Sequence, residues 1–243
     1  MKDWFKNWFD SPYYHTLYKN RTDDEAILFV KNCVAHFQLL PNCRLLDLAC
    51  GKGRHSIAFS KFGLDVTGLD LSPQSIVHAQ QFETENLHFY VQDMRTVFRV
   101  NYYDVVCNLF TSFGYFNSAH DNHLAAKSMA VGLKKGGTLI IDFVNQQHAR
   151  TNIENNQTET QTIDNITFDI KRSYTENQLI KKIAITDGEN KYHFQEAVNS
   201  FHLAEMIAIF EHEGLKHKDT FGNYYFEKYD EIESPRMILI FEK

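Results

Sequence analysis

Short apolar runs alternate with segments of helical periodicity along the first part of the chain. Five runs have the length and side chains of buried strands, at residues 44–48, 65–70, 87–92, 103–108 and 138–144. Between them the pattern predicts helices at 54–62, at 73–83 with Ser72 as N-cap, and at 120–133 before a Gly136-Gly137 turn. Strands and helices that alternate in this way predict an α/β fold with a parallel, doubly wound sheet.

A further helix is predicted ahead of this alternation. The capping box Thr22-Asp23-Asp24-Glu25 precedes apolar residues at helical spacing, and Pro41-Asn42 should end the helix at about residue 40. Upstream of it, an aromatic stripe at helical spacing is typical of a packed core or interface face; its members are Trp4, Phe5, Trp8 and Phe9. Residues 1–40 are therefore interpreted as an N-terminal helical cap.

The pattern changes after residue 149. Residues 150–196 have little helical periodicity, many Asn and Thr side chains and alternating stretches, with the hairpin signal Asp187-Gly188 between two of them. We interpret this segment as an antiparallel β insertion. A helix at 200–212, ended by Gly214, and two closing strands at 215–221 and 237–241 should complete the main domain, which then comprises residues 41–149 and 197–243.

Composition narrows the possible partners. The 243 residues include 43% hydrophobic side chains, enough for a substantial core, and have a net charge of −6. Lys and Arg are scattered, so no basic field favours nucleic acid as a partner. No apolar run approaches the roughly 20 residues that cross a bilayer, and the charged start lacks the apolar core of a signal peptide. We expect a cytoplasmic protein without a membrane partner.

Cysteine and histidine spacings do not indicate a metal site. The four cysteines form no CxxC pair and read as buried thiols; they are Cys33, Cys43, Cys50 and Cys107. The 12 histidines contain no HxxxH or HExxH motif. We therefore expect no bound metal.

Two acids and a glycine loop carry the strongest chemical signal. The first strand contains Asp47, the loop Gly51-Lys52-Gly53 follows it, and the second strand ends at Asp70. Glycines let the backbone approach a ligand, and the helix start beyond them favours an anionic group such as a carboxylate. An acid about 20 residues after such a loop binds ribose hydroxyls, so the pattern predicts a nucleoside pocket.

Asp47 separates the two nucleoside ligands that fit this pattern. Its carboxylate would repel the pyrophosphate of a dinucleotide, whereas it favours the ammonium and sulfonium groups of S-adenosylmethionine. In addition, Ser56 stands where the dinucleotide fingerprint has its last glycine. The residues thus favour the methyl donor, and a nicotinamide oxidoreductase is the weaker alternative.

At these residues the chain resembles the class I S-adenosylmethionine-dependent methyltransferases over nearly its whole length. The Asp-x-x-Cys-Gly-x-Gly-Arg-His form at 47–55, Gly-Leu-Asp-Leu-Ser-Pro at 68–73 and Gln-Asp-Met-Arg at 92–95 are similar to three motifs of a bacterial subgroup. Glu196 and Ser-Pro-Arg at 234–236 are similar to the tail of small-molecule methyltransferases with a β-rich insertion after the fifth strand. The resemblance implies a Rossmann-like, seven-stranded, mostly parallel sheet with helices on both faces.

The resemblance also implies roles for the matching residues. Gly51 and its neighbours would contact the methionyl end, Asp70 the ribose, Leu71 the adenine face, and Asp93 with the Met94 amide the adenine edge. Arg54 is either a solvated charge or a ligand contact, and Asp93 has the alternative of an exposed turn acid. The full set of expected cofactor-binding residues is Tyr14, Tyr18, Arg21, Asp47, Ala49, Cys50, Gly51, Gly53, Arg54, Asp70, Leu71, Asp93, Met94 and Asn108.

The acceptor side is expected after the fourth strand. There the fold places its acceptor beside residues 110–116, so Phe110, Phe113 and Tyr115 are candidate substrate contacts, with packing as the alternative for each. Methyl transfer is an in-line displacement that needs a base only if the acceptor carries a proton. The candidate bases nearest to this segment are Tyr115 and His120.

These observations lead to one main functional hypothesis. The N-terminal cap would fold over the cofactor as a lid, with Tyr14, Tyr18 and Arg21 nearest to the site. We expect a methyltransferase, monomeric or homodimeric, that moves a methyl group from S-adenosylmethionine to N or O of a small-molecule acceptor. A protein that senses S-adenosylmethionine or S-adenosylhomocysteine without turnover is the alternative from another class.

Overall fold

The computed structural model describes residues 4–19, 23–116 and 118–243. The helices are α1 (Trp4–Phe9), α2 (Pro12–Leu17), α3 (Asp23–His36), α4 (Arg54–Ser60), α5 (Pro73–Ala79), α6 (Ala119–Gly132), α7 (Gln146–Asn155) and α8 (Leu203–His212). The strands are β1 (Arg44–Leu48), β2 (Asp65–Asp70), β3 (Leu87–Val91), β4 (Tyr103–Asn108), β5 (Leu133–Val144), β6 (Thr158–Ile163), β7 (Ile166–Tyr174), β8 (Gln178–Asp187), β9 (Asn190–Asn199), β10 (Lys216–Phe221) and β11 (Arg236–Glu242).

Seven strands form the main sheet, in the order β10-β11-β5-β4-β1-β2-β3. The pairings among β1 to β5 are parallel, and β11 pairs antiparallel with both β5 and β10. The predicted seven-stranded, mostly parallel sheet is therefore confirmed. Because β1 to β5 run the same way, their carboxyl ends lie at one border of the sheet, which we call the carboxyl edge. The antiparallel β11 begins at this edge, since Arg236 pairs with Val144.

Helices cover both faces of this sheet, as predicted. Side chains alternate along each strand, so that Leu45 of β1 is buried on one face and Leu46 on the other. The first face packs against α3, α4 and α5, and the second against α6 and α8. The sheet is thus enclosed, and only its edges and the loops that follow its strands are available for ligands.

A second, antiparallel sheet contains β6, β7, β8 and β9 in chain order. One of its faces is apolar and belongs to the same core cluster as Leu46, α6 and α8. Its buried residues include Phe168, Ile170, Ile183 and Ile185. The predicted hairpin at Asp187-Gly188 is confirmed, because Asp187 pairs with Asn190 and Gly188 has a φ of 58°. The short helices α1 and α2 pack against this sheet, and Trp8 is completely buried beside Phe194.

Several element boundaries differ from the predicted ones for local reasons. The helix α3 ends at His36 rather than near residue 40, because Gln38 has a φ of 51° that no α-helix continues. A 3-10 turn at Gln80–Phe82 replaces the last part of the helix predicted at 73–83. The predicted Gly136-Gly137 turn lies inside β5, where the pairing with β4 shifts from Tyr103↔Leu133 to Val105↔Thr138.

The inserted segment also begins differently. The helix α7, capped by Asn145, forms where no helix was predicted. Among its residues only Gln146 is buried, so the sequence has almost no apolar stripe at helical spacing that would have predicted this helix. At the other end β9 continues to Asn199, beyond the predicted boundary at 196. The division of the chain at 1–40, 41–149 with 197–243, and 150–196 stays a prediction.

Candidate functional site

A cavity of about 1470 Å³ opens at the carboxyl edge of the main sheet. Its walls come from the loops after β1, β2, β3 and β4, from the cap helices α1 and α2, and from the inserted sheet. The expected site residues that line it are Tyr14, Tyr18, Asp47, Ala49, Cys50, Gly51, Arg54, Asp70, Leu71, Asp93, Met94, Phe110 and Tyr115. Residues nearly 190 positions apart in the sequence, such as Phe9 and Val198, therefore face one space.

The loop after β1 turns sharply at the base of this cavity. Ala49 and Gly51 have φ angles of 67° and 56°, and an added Cβ at Gly51 would meet nothing within 4 Å. The open space at Gly51 is room for a ligand against the backbone. Gly53 has a different role, because a Cβ there would lie 2.7 Å from the Phe89 ring, and it does not line the cavity. Gly53 lets the start of α4 pack against β3.

Asp70 holds the loops after β1 and β2 together. Its Oδ2 accepts a hydrogen bond from the Gly51 backbone N–H at 2.8 Å, and its Oδ1 accepts one from Ser72 N–H at 2.8 Å. Burial raises the pKa of this carboxyl, although the backbone donors act in the opposite direction. Each oxygen keeps lone-pair capacity for a further donor such as a hydroxyl group.

Asp47 is buried with fewer partners. It is 1% exposed, and its Oδ2 accepts a hydrogen bond from the Ser56 hydroxyl at 2.6 Å. Burial raises the pKa of Asp47 to about 6, and the hydrogen bond from Ser56 limits that rise. A cationic group in the cavity would favour the ionised form of this carboxyl.

Asp93 and Met94 lie after β3 at the border of the cavity. Both Asp93 oxygens accept hydrogen bonds from the Arg95 guanidinium, at distances from 2.6 to 3.2 Å. Burial raises the pKa of Asp93, but the bonds from Arg95 outweigh it and the net shift is downward. Arg95 also pairs with Asp121 at 3.1 Å, which ties this loop to the start of α6. The expected contact of Asp93 with the adenine edge stays a prediction.

Asn108 was expected to contact the cofactor, but its position in the structure differs from this expectation. It is fully buried at the end of β4, does not line the cavity, and donates from Nδ2 to the Leu48 carbonyl at 2.8 Å. Its Oδ1 is buried without a hydrogen-bond partner in the described residues. Asn108 therefore links β4 to β1 immediately behind the site, and this geometry gives no direct contact with the cavity.

The turn after β4 has a strained backbone. Phe110 and Thr111 both have a φ of 61°, a conformation that bulky and β-branched residues rarely adopt. Asp142 of β5 holds the turn, because its Oδ2 accepts from Phe110 N–H at 2.9 Å and its backbone carbonyl accepts from Thr111 N–H at 2.9 Å. The strained turn places the Phe110 ring in the cavity.

A buried ion pair supports Asp142 in turn. Arg236 donates from Nε to Asp142 Oδ1 at 2.7 Å and from Nη2 to the Thr111 hydroxyl at 2.9 Å. The Asp142 side chain is 2% exposed, and Tyr224 donates to its other oxygen at 3.0 Å. Arg54 and Arg236 each lie with Cζ 5.7 Å from the centroid of the Phe110 ring.

Of the remaining candidate substrate contacts and bases, Tyr115 lines the cavity, whereas Phe113 and His120 do not. Tyr115 lines the cavity and packs against Trp4 and Phe9, with ring centroids 5.4 and 5.2 Å away. Phe113 is fully buried between Phe201 and Phe210 and belongs to the core rather than to the cavity wall. His120 is exposed on α6 and also lies outside the cavity lining, so the structure gives neither Phe113 nor His120 access to an acceptor.

The cap and the inserted sheet meet over the cavity through Glu196 of β9. The Glu196 Oε1 accepts hydrogen bonds from Trp8 Nε1 at 2.8 Å and from the Tyr18 hydroxyl at 2.7 Å. Lys181 donates to the Tyr18 hydroxyl and lies 3.9 Å from Glu196 Oε2. Tyr14 and Tyr18 thus line the cavity as the lid hypothesis expects, while Arg21 falls outside the described residues.

On its other side the cap contacts the loop after β2. Asp10 Oδ1 accepts hydrogen bonds from the Ser72 hydroxyl at 2.7 Å and from Gln74 N–H at 3.2 Å. Nearby, His15 lines the cavity, and burial together with the charge of Lys52 lowers its pKa to about 4. His15 Nε2 is buried without a partner in the described residues.

Sequence reasoning did not assign roles to several of these residues. A lone acid in the apolar run of β5 is a signal for Asp142, since a buried carboxylate needs a partner. Arg236 and Glu196 stood in the tail motif without a role. Asp10 and His15 carry no local signal, because only the folding of the cap brings them to the cavity.

Two further findings concern the rest of the molecule. Within the described ranges, one group of possible metal ligands, His123, His212 and Glu213, has its donor atoms within 4.8 Å of one another; it lies on α6 and at the end of α8, outside the cavity lining. No helix in the part of the chain that the structure describes is long and apolar enough to cross a membrane.

Residues 39–199, more than half of the chain, match the family model described as "Methyltransferase domain". The chain is 36% identical over 102 residues to the putative methyltransferase YqeM of Bacillus subtilis. The aligned region covers 41% of each protein. It is 25% identical over 185 residues to the dTDP-3-amino-3,4,6-trideoxy-alpha-D-glucopyranose N,N-dimethyltransferase of Streptomyces venezuelae, covering 71% of this chain and 75% of that protein.

Solved structures have the same fold. An S-adenosylmethionine-dependent methyltransferase from Clostridium acetobutylicum aligns with a TM-score of 0.77 at 17% identity, over 95% of both chains. The sugar N-methyltransferase KedS8 from a Streptoalloteichus species aligns with a TM-score of 0.72 at 18% identity, over 95% of this chain and 92% of that one. The fold similarity therefore extends through the cap and the inserted sheet.

Replacement of Asp47 by Asn should stabilise the ligand-free protein at high pH. The folded-state pKa of about 6 exceeds the ordinary 3.8, so the native state binds the extra proton between these values and carries an unfavourable buried charge above them. We expect Asp47→Asn to raise the unfolding free energy at pH 8 by on the order of 2 kcal/mol, and the gain to vanish near pH 4.

Urea denaturation at pH 4, 6 and 8 measures this effect. Asp24→Asn is the matched control, because Asp24 is exposed in the first turn of α3. A gain for Asp47→Asn that is the same at all three pH values, or a loss at pH 8, would contradict the assignment.

Replacement of Arg236 by Met should destabilise the protein by about 3 kcal/mol, because Asp142 would remain charged and buried without its cation. Urea denaturation at pH 7 gives the measurement. Arg172→Met removes the cation of the exposed Arg172–Glu159 pair and should cost less than about 1 kcal/mol. If both variants lose equally little, the ion pair does not hold the strained turn.

Proposed function

The chain belongs to the class I S-adenosylmethionine-dependent methyltransferases, and we propose that it moves the methyl group of this donor to an amine nitrogen of a small-molecule acceptor. The observation that carries the proposal is the continuous cavity at the carboxyl edge. It joins the residues that match the donor motifs, such as Asp70, to the Phe110 turn and to the inserted sheet at Glu196. A small acceptor can therefore reach the donor without leaving the enclosed space.

The residues present fit the donor. Asp70 retains acceptor capacity for ribose hydroxyls, and the open space beside Gly51 leaves room at the backbone. Asp47 is a buried carboxyl with one hydroxyl partner, and the ammonium of the methionyl group would offset its burial. The nicotinamide oxidoreductase that the glycine loop also allowed has no support in the family match.

The donor supplies a methyl carbon that a positive sulfur already activates. The protein's part is to align the acceptor and to exclude water, which can supply much of the rate of a displacement. The cap helices do this from one side, with Phe9 and Tyr14 facing the cavity, and the Phe110 turn does it from the other. The strained turn is held by Asp142, so its ring is positioned before any ligand arrives.

The cavity histidines are weak bases, which agrees with a nitrogen acceptor, and Asp47, with a pKa of about 6, faces the donor ammonium in this proposal. A hydroxyl acceptor has to lose its proton and so needs a base with a pKa near the working pH, whereas a neutral amine attacks with its own lone pair. Three histidines line the described cavity, and burial is the main cause of a lowered pKa in each: about 4 for His15, about 3 for His55, and a downward shift for His78. The relative that methylates an amino group of a nucleotide-linked sugar supports the same acceptor atom.

Replacement of Asp70 by Ala should weaken binding of S-adenosylhomocysteine by about 1–3 kcal/mol, since the ribose hydroxyls lose their acceptor. Titration calorimetry measures the affinity. Asp65→Ala, at the other end of the same strand, is the control and should leave it unchanged. Equal affinity of Asp70→Ala and the unmodified protein, with melting curves showing both folded, would remove Asp70 from the donor site.

Turnover decides between an enzyme and a sensor. We expect methylation when the protein and donor are incubated with a panel of small primary and secondary amines, amino sugars included, and no methylation of the hydroxyl compounds of the same shape. Mass spectrometry detects the transferred methyl group. Methylation of a hydroxyl compound would contradict the choice of nitrogen, and tight donor binding without any turnover would favour the sensor.

A further inference from the structure

Glu196 presents a carboxylate to the acceptor side of the cavity. It lies on β9 opposite Lys181 of β8, and its side chain is 18% exposed. The cavity wall around it is formed by the inserted sheet and the cap, through Leu179, Val198 and Tyr18. The donor motifs are on other elements, after β1, β2 and β3, whereas Glu196 lies on the inserted sheet, where the expected donor residue Tyr18 contacts it.

The two oxygens of this carboxylate have different surroundings. Oε1 accepts from both Trp8 and Tyr18, at 2.8 and 2.7 Å, which fixes the orientation of the group. Oε2 receives no hydrogen bond from any residue in the described ranges, and its nearest cation, Lys181 Nζ, is 3.9 Å away. Oε2 is not among the buried unpartnered atoms of the described residues, and Glu196 lines the cavity, so a ligand or water can supply its hydrogen bond.

We propose that Glu196 Oε2 binds the N–H of the acceptor amine and positions its nitrogen for methyl transfer, an inference that rests on the proposed function. Trp8 and Tyr18 donate to Oε1, so Oε2 is the oxygen left for the acceptor. Lys181 Nζ, 3.9 Å from Oε2, offsets part of the charge of Glu196, which remains a charged hydrogen-bond acceptor. The N–H of a neutral amine can donate to it, and the neutral amine keeps the lone pair that attacks the methyl carbon.

The same contact assists the reaction. The nitrogen lone pair forms the new N–C bond, the C–S bond breaks with its electron pair passing to sulfur, and the nitrogen becomes positively charged while the sulfur becomes neutral. Glu196 is a fixed anion beside the atom on which positive charge develops, so its attraction is stronger in the transition state than for the neutral amine. The methylated ammonium product leaves with its proton and releases it to solvent.

The donor analogue sinefungin tests this assignment without knowledge of the acceptor. It carries an amine where the donor carries its transferable methyl group, whereas S-adenosylhomocysteine carries nothing there. The ratio of the two affinities, measured by titration calorimetry, therefore reports on the environment next to the acceptor nitrogen. Glu196→Gln keeps an oxygen for Trp8 and Tyr18 and removes the negative charge. We expect it to lower the sinefungin preference roughly tenfold, as for loss of a charged hydrogen-bond partner.

The controls separate the ways in which the inference can fail. Glu189→Gln, exposed at the turn between β8 and β9, should leave the ratio unchanged. If Glu196→Gln weakens both nucleosides equally, Glu196 only holds the cap and the inference is overturned; an unchanged ratio overturns it as well. If the unmodified protein binds neither nucleoside, the proposed function itself fails.

Discussion

Two carboxylates, Asp47 and Asp142, are buried at the carboxyl edge of the main sheet, where a charge removed from water needs a partner. Asp142 has one within the chain, because β11 runs antiparallel and begins at this edge with Arg236. Asp47 has a hydroxyl donor and a raised pKa, and faces the cavity. Asp142 is therefore neutralised by the fold, whereas Asp47 faces the cavity, where a cationic ligand would offset its charge.

The ion pair of Asp142 has consequences for the acceptor side. It holds the strained backbone at Phe110 and Thr111, and this turn forms one wall of the cavity. Strain of this kind persists only where surrounding contacts over-determine it. The last strand of the chain thus fixes the shape of a loop that follows the fourth strand, and the motif 234–236 acquires a physical role that its sequence alone did not reveal.

The sequence predicted best where local pattern and tertiary position agree. The bounds of β1, β2 and β4 are as predicted, since each is a short apolar run between turn residues. The site is less regular. Asn108 and Phe113 were expected at the pocket, yet both are buried behind it, because the direction of a side chain at a strand end or in the following turn is set by tertiary packing. Glu196 meets Trp8 across 188 positions, and no local pattern encodes such a contact.

The first part of the cap, helices α1 and α2, links the loop after β2 to the inserted sheet across the cavity. Its helices α1 and α2 have six residues each, too short to be stable without tertiary contacts. Such contacts include the hydrogen bond from Ser72, at the start of α5, to Asp10. Another is the hydrogen bond from Trp8 to Glu196 of the inserted sheet. The same short segment therefore contacts both Glu196 and the loop after β2. If the cap encloses the donor and Glu196 binds the acceptor, as proposed, these contacts couple the two, and a change that loosens the cap should weaken both.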